Sequence, residues 1–210
     1  GGEALIADFA GYNRAGHLKY FPLPGGDQAV REPWRTALGL LHSLEREWAP
    51  DLAPVRYGSE KRLSGMDQPL LPVIENQLKT STNAPLTSSL GRLFDAVAAL
   101  TGLRQEISYE AQAAIELEAA ADPAERSSYP FDLSRDGIIH PGPMLDTLLN
   151  DLRQGIPLPV VSARFHNGLA EMVRNLAVQL RQTYGLNQVV LSGGVWQNVT
   201  FLEKSLALLR

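Results

Sequence analysis

The chain has 210 residues, 44% of them hydrophobic, a formal net charge of -4 and no cysteine. That length suits one large domain or two small lobes with a sizeable core. Mild acidity without a Lys/Arg run argues against nucleic acid as a partner. The lack of cysteine excludes disulfides, thiolate metal sites and a cysteine nucleophile, and no apolar run approaches the ~18 residues of a membrane span.

No signal peptide is visible, which together with the missing cysteines suits a cytoplasmic protein. Both ends read as cut from a longer protein: the start is Gly-Gly-Glu and the end is helix-like. Residues 4–9 and 17–21 read as strands joined by a turn over 11–16, and residues 22–27 break the second strand. A helix is expected from Gln28 or Pro33 to Trp48, with Trp34, Leu38, Leu41 and Leu44 on its apolar face. Residues 49–69, with Pro50, Pro54, Gly58 and Gly65, read as an irregular loop or lobe connector. A short helix should cover 72–79.

Ser88 or Ser89 can cap a helix that runs to Thr101, with Gly102 beyond its end. Its buried stripe is Leu90, Leu93, Phe94, Val97 and Thr101. A second helix starts after Ser108 and runs to Ala121, where Asp122-Pro123 stops it. Strand pieces and turns fill 123–142, and helices follow over 144–152 and 160–184. Residues 188–191 form a short apolar strand before a last helix from Trp196. Strands mixed with helices, closing on a strand–loop–helix unit, indicate an α/β fold.

Three places could carry chemistry. Ser192, Gly193 and Gly194 lie between the expected strand and helix. Glycines permit close backbone approach, and the helix start offers free N–H groups to an anion. Asn198, in the first helical turn, could reach a ligand over that loop. The same spacing also describes a plain strand-to-helix turn with a capping Asn.

Asp95 sits mid-helix, flanked one turn away by Gly91 and Ala99. Small neighbours would admit a ligand whose hydroxyls the carboxylate accepts; the alternative is a solvated Asp paired with Arg92. Glu116 shares a helix face with Gln112 and could bind a sugar hydroxyl, or be a surface Glu on an Ala-rich helix. None of His17, His42, His140 and His166 has the i, i+4 partner of a two-ligand metal helix. His166 reads as a packing or capping residue. No catalytic side chain can be named.

Longer stretches carry more. TSSLGRLFDAVAAL over 87–100, SYEAQAAIELE over 108–118, and LSGGVWQN over 191–198 resemble motifs of the HypF family of carbamoyltransferases, which mature nickel–iron hydrogenases. The opening Gly-Gly-Glu, LPGGD at 23–27 and REPWR at 31–35 are similar as well. The resemblance runs nearly end to end and implies part of the family's carbamoyl-transfer domain. That domain has the actin/hexokinase/Hsp70-like (ribonuclease H-like) ATPase fold and is related to the tRNA threonylcarbamoyladenosine synthases.

The resemblance implies that ATP and carbamoyl phosphate give carbamoyl-adenylate in another domain. This domain would accept the adenylate and deliver its carbamoyl group to the C-terminal cysteine of the partner HypE, for the cyanide ligands of the nickel–iron site. The resemblance further implies that Asp95 meets the ribose, that Ala111 approaches the nucleotide, and that Glu116, Ser192, Gly193, Gly194 and Asn198 fall on the remaining nucleotide-binding positions. Ala111 stands where the family usually has Gly, and Trp196 where it usually has Phe. A divalent metal, zinc or iron, is implied with ligands outside this chain, so the isolated chain is expected to be inactive. Two further readings stay open: a small-molecule O-carbamoyltransferase and a non-catalytic scaffold of the same fold.

Overall fold

The computed structural model describes residues 2–210, so Gly1 of the opening Gly-Gly-Glu lies outside it. The chain forms two compact units, one of Tyr20–Leu117 and the other of Gly2–Lys19 with Glu118–Arg210. Helices and a mixed sheet make it an α/β protein, as the alternation of patterns predicts.

The unit of residues 20–117 is mainly helical. Strand β3 (Phe21–Pro22) pairs antiparallel with β4 (Leu86–Thr87). Around them lie α1 (Asp27–Arg31), α2 (Pro33–Ser43), α3 (Ala53–Glu60), α4 (Leu70–Thr80) and α5 (Leu90–Leu100). Helix α2 packs against α5, burying Trp34, Leu38 and Leu41 with Leu93, Phe94 and Val97. Leu44 does not join that buried face, because α2 stops before it. Close packing is fixed by small residues: a Cβ at Gly39 would lie 2.0 Å from the Pro22 carbonyl oxygen.

Of the two expected starts, Pro33 is the one that opens α2, Gln28 falls in the separate helix α1, and α2 ends at Ser43 rather than Trp48. Glu32 precedes a proline and leaves the helical region, with ψ 78°, which separates α1 from α2. Helix α2 ends at Ser43 in a Schellman motif. Glu45 takes φ 55°, its N–H bonds the His42 carbonyl at 3.0 Å, and the Arg46 N–H bonds the Leu41 carbonyl at 2.8 Å. Glycine normally marks this stop, and its replacement by Glu45 hid the boundary. Residues 49–69 are not irregular throughout, since they contain α3, whose Pro54 sits in the first turn. Gly58 is there because a Cβ would meet the Trp34 ring at 2.7 Å. The whole stretch belongs to this one unit.

Helix α6 (Gln112–Ala119) begins three residues later than the expected start after Ser108. The Gln112 side chain accepts the Ser108 N–H at 2.7 Å, and Ala111 takes φ 62°, so 108–111 form a turn.

The other unit holds a four-stranded sheet in the order β1-β2-β6-β5. Strands β1 (Glu3–Ala7) and β2 (Tyr12–Leu18) are antiparallel, β2 and β6 (Ile138–His140) parallel, and β5 (Asp132–Leu133) and β6 antiparallel. The hairpin turn lies at 8–11 rather than 11–16. Asp8 Oδ1 accepts the N–H groups of Ala10 and Gly11 at 2.7 and 3.0 Å, closing the turn early.

Helices α7 (Gly142–Arg153), α8 (Leu158–Tyr184) and α9 (Val199–Leu209) complete this unit, with α8 packed on α7 and α9. Gly185, at φ 70°, ends α8 where the sequence predicts. A loop at 125–129 is clamped to α8. Asn167 Nδ2 donates to the Ser127 carbonyl at 2.7 Å, and the Tyr129 hydroxyl and Arg164 Nη1 both donate to the buried Asp151, at 2.8 and 2.7 Å. Gly168 lets that loop approach, since a Cβ would lie 2.2 Å from the Tyr129 carbonyl oxygen.

Residues 188–191 form no strand. They run without ladder partners, with Val189 53% and Val190 89% exposed. An apolar run becomes a strand only when a neighbour supplies its hydrogen bonds.

Candidate functional site

The seven residues singled out from the sequence divide between the two units. Asp95, Ala111 and Glu116 belong to residues 20–117, and Ser192, Gly193, Gly194 and Asn198 to the other unit.

Asp95 lies on α5, whose first turn is capped by the Ser89 hydroxyl accepting from the Arg92 N–H. It is neither solvated nor open to solvent, being 1% exposed. Arg92 Nη1 sits 2.7 Å from Oδ2, yet no N–H is aimed at that oxygen, which has no hydrogen-bond partner. The contact is therefore Coulombic. Arg92 Nη1 donates instead to the Val30 carbonyl at 3.3 Å. Burial pushes the Asp95 carboxyl up to about 7, and the neighbouring Arg92 charge only partly offsets this. The result is a buried acceptor with an unused lone pair, covered by one guanidinium.

Glu116 is half-buried and engaged. Arg104 holds it with two parallel bonds of 2.8 and 2.7 Å, and Gln112 Nε2 donates to Oε1 at 2.9 Å. The hydrogen bond from Arg104 holds its carboxyl below the usual range. The Arg104 pairing, across twelve residues, was not visible in the sequence because a turn brings the two together. Ala111 is exposed and holds φ 62°, the left-handed region that glycine enters freely.

In the other unit, Gly193 takes φ 97°, and residues Gly194–Gln197 form a single 3-10 turn. Gly193 and Gly194 have open space where a Cβ would stand, so nothing in this unit forces them to be glycine by crowding. Helix α9 begins at Val199, not Trp196, and this corrects two expectations. Asn198 is the cap that precedes α9 rather than part of its first turn, with Oδ1 accepting the Phe201 N–H at 2.8 Å. The N–H groups of α9 are not all free for an anion, because Glu118 Oε1 accepts the Thr200 N–H at 2.7 Å. A carboxylate already occupies that helix end. Nothing in the sequence pointed to Glu118, which lies 82 residues from its partner.

His166 is buried at 0% exposure, as a packing residue would be, and it also contacts Asn198. Among the described residues, no group of three or more His, Asp or Glu is close enough to hold a metal ion. Among the described residues, no helix is long and apolar enough to cross a membrane.

Comparison with known proteins gives this arrangement its context. The family model described as "Carbamoyltransferase, Kae1-like Domain, second subdomain" matches residues 1–210. A carbamoyltransferase HypF homolog of Cupriavidus necator is 37% identical over 94% of this chain and 50% of its own length. The carbamoyltransferase HypF of a Synechocystis species is 33% identical over 100% of this chain and 28% of its own. A crystal structure of full-length HypF in its phosphate- and nucleotide-bound form superposes with a TM-score of 0.84 at 35% identity, over 99% of this chain and 31% of that one. The chain thus spans at most half the length of these relatives. The fold is that of their Kae1-like domain, a ribonuclease H-like ATPase architecture. The chain belongs to the HypF family of carbamoyltransferases, as the second subdomain of the Kae1-like domain.

Proposed function

We propose that, within a complete carbamoyltransferase, this chain holds carbamoyl-adenylate made from ATP and presents its carbamoyl group to a cysteine thiolate. The observation that carries the reading is the match over 99% of the chain to a nucleotide- and phosphate-bound HypF. Asp95 supplies a buried acceptor with a free lone pair for a ribose hydroxyl. Glu116, fixed by Arg104 and Gln112, lends a second acceptor. The backbone of Ser192, Gly193 and Gly194 faces the phosphate.

In the transfer step the thiolate attacks the carbamoyl carbon, forming the S–C bond. The bond from that carbon to the phosphate oxygen breaks, and AMP leaves with the electron pair. Backbone N–H groups of the loop stabilise the charge that grows on the phosphate. The acceptor is the C-terminal cysteine of a HypE-type protein, the product serves the cyanide ligands of a nickel–iron hydrogenase, and the reaction runs in the cytoplasm. Any divalent metal, zinc or iron, takes its ligands from outside these residues.

The reading is tested by transfer of labelled carbamoyl from carbamoyl phosphate and ATP to the partner thiol, using the complete protein. Asp95→Ala is expected to lower transfer at least about tenfold, the scale of a lost hydrogen bond to a buried charged group. Transfer at the wild-type rate would overturn the assignment.

A further inference from the structure

His166 lies about a third of the way along α8, and the transfer chemistry above makes no use of it, yet both of its ring nitrogens are engaged. Nδ1 is 2.8 Å from the Ser162 carbonyl oxygen, one turn earlier on α8, with the Ser162 hydroxyl 3.4 Å away. A carbonyl only accepts, so Nδ1 carries a proton. Nε2 is 3.0 Å from Asn198 Nδ2. Because Oδ1 of Asn198 accepts the Phe201 N–H, the amide nitrogen must face the ring, and an amide nitrogen only donates. Nε2 therefore offers its lone pair. Both contacts specify one neutral tautomer.

We propose that His166 is a positioning residue whose neutral imidazole sets the Asn198 amide, and with it the Ser192–Asn198 loop, so that acidification loosens the grip of this loop on an adenylate phosphate. The proposal rests on the nucleotide reading above. Protonation of Nε2 brings two donors face to face. The amide must then turn over, Oδ1 leaves the Phe201 N–H, and α9 loses its cap.

Glu118 from α6 and Lys204 from α9 are charged groups that act on the ring. Burial holds the imidazole below its ordinary value; the Ser162 carbonyl and Glu118 pull it back up, and Lys204 adds to the lowering. Glu118 also grips the Thr200 N–H, so the start of α9 is held at two points, of which only the Asn198 cap depends on His166.

The experiment is calorimetric titration of the complete protein with AMP at about pH 5.5 and about pH 7.5, for wild type, His166→Gln and His166→Phe. Protonation of the AMP phosphate is common to all three and drops out of the comparison. Wild type should lose about fivefold more affinity on acidification than His166→Gln, the equivalent of one helix cap. His166→Gln, which keeps an acceptor, should come within about twofold of wild type at the higher pH. His166→Phe should bind weakly at both. Equal pH dependence in wild type and His166→Gln would overturn the proposal.

If wild type does not bind AMP at all, the nucleotide reading fails by itself, and nuclear magnetic resonance then decides the positioning role. Asn198 side-chain amide signals that shift with the His166 titration support it. Signals that stay fixed while His166 titrates refute it.

Discussion

Asp95 and Ala111 each hold a state that their residue type resists. The folded Asp95 carboxyl keeps its proton up to about pH 7, whereas an unfolded one loses it near 3.8. The native state then binds more protons between those values, so stability falls as pH rises from about 4 to about 7 and stays low above that. The size of the effect is on the order of 4 kcal/mol. Urea unfolding at several pH values should show this decline in wild type and a flatter curve in Asp95→Asn; parallel curves would show that the carboxyl titrates normally. Ala111 sits at φ 62°, where a Cβ is strained. Ala111→Gly should raise stability by about 1 kcal/mol, read from the urea midpoint, because relief of the left-handed strain outweighs the added freedom of the unfolded glycine. The family resemblance marked this position as unusual in sequence; only the backbone angle gives the reason.

At the level of elements, the legible boundaries are those with ordinary chemistry. Ser89 caps α5 and Gly185 closes α8, both as their types predict. The boundaries missed depend on residues in uncommon roles. Glu45 does the work of a C-terminal glycine, so nothing in 43–48 signals a stop. Glu45→Gly should therefore stabilise α2 by about 1 kcal/mol in thermal unfolding. A lower midpoint would mean that the Glu45 side chain contributes more than its backbone strain costs. The misread strand at 188–191 fails for a different reason. Its apolar run is real, but a ladder needs a partner strand, and partners are set by the tertiary fold. The start of α9 was also displaced, because the cap role of Asn198 depends on a 3-10 turn that spends 194–197 first.

For the whole molecule, the α/β class and the family were open to sequence, since long motifs in order leave few alternatives. Most of the surroundings of the candidate residues were not. Arg92 beside Asp95 was among the sequence alternatives, but Arg104 on Glu116, His166 on Asn198 and Glu118 on Thr200 come from folding. They turn a set of motif letters into two acceptors with defined charge and one braced loop. The proposed nucleotide-binding function assigns a binding role to Asp95 and another to Asn198. Calorimetric titration of the complete protein with AMP, for wild type, Asp95→Ala and Asn198→Ala, tests this most directly. Each variant is expected to weaken binding, by about tenfold for Asp95→Ala and about fivefold for Asn198→Ala. Wild-type affinity in both variants would contradict the account.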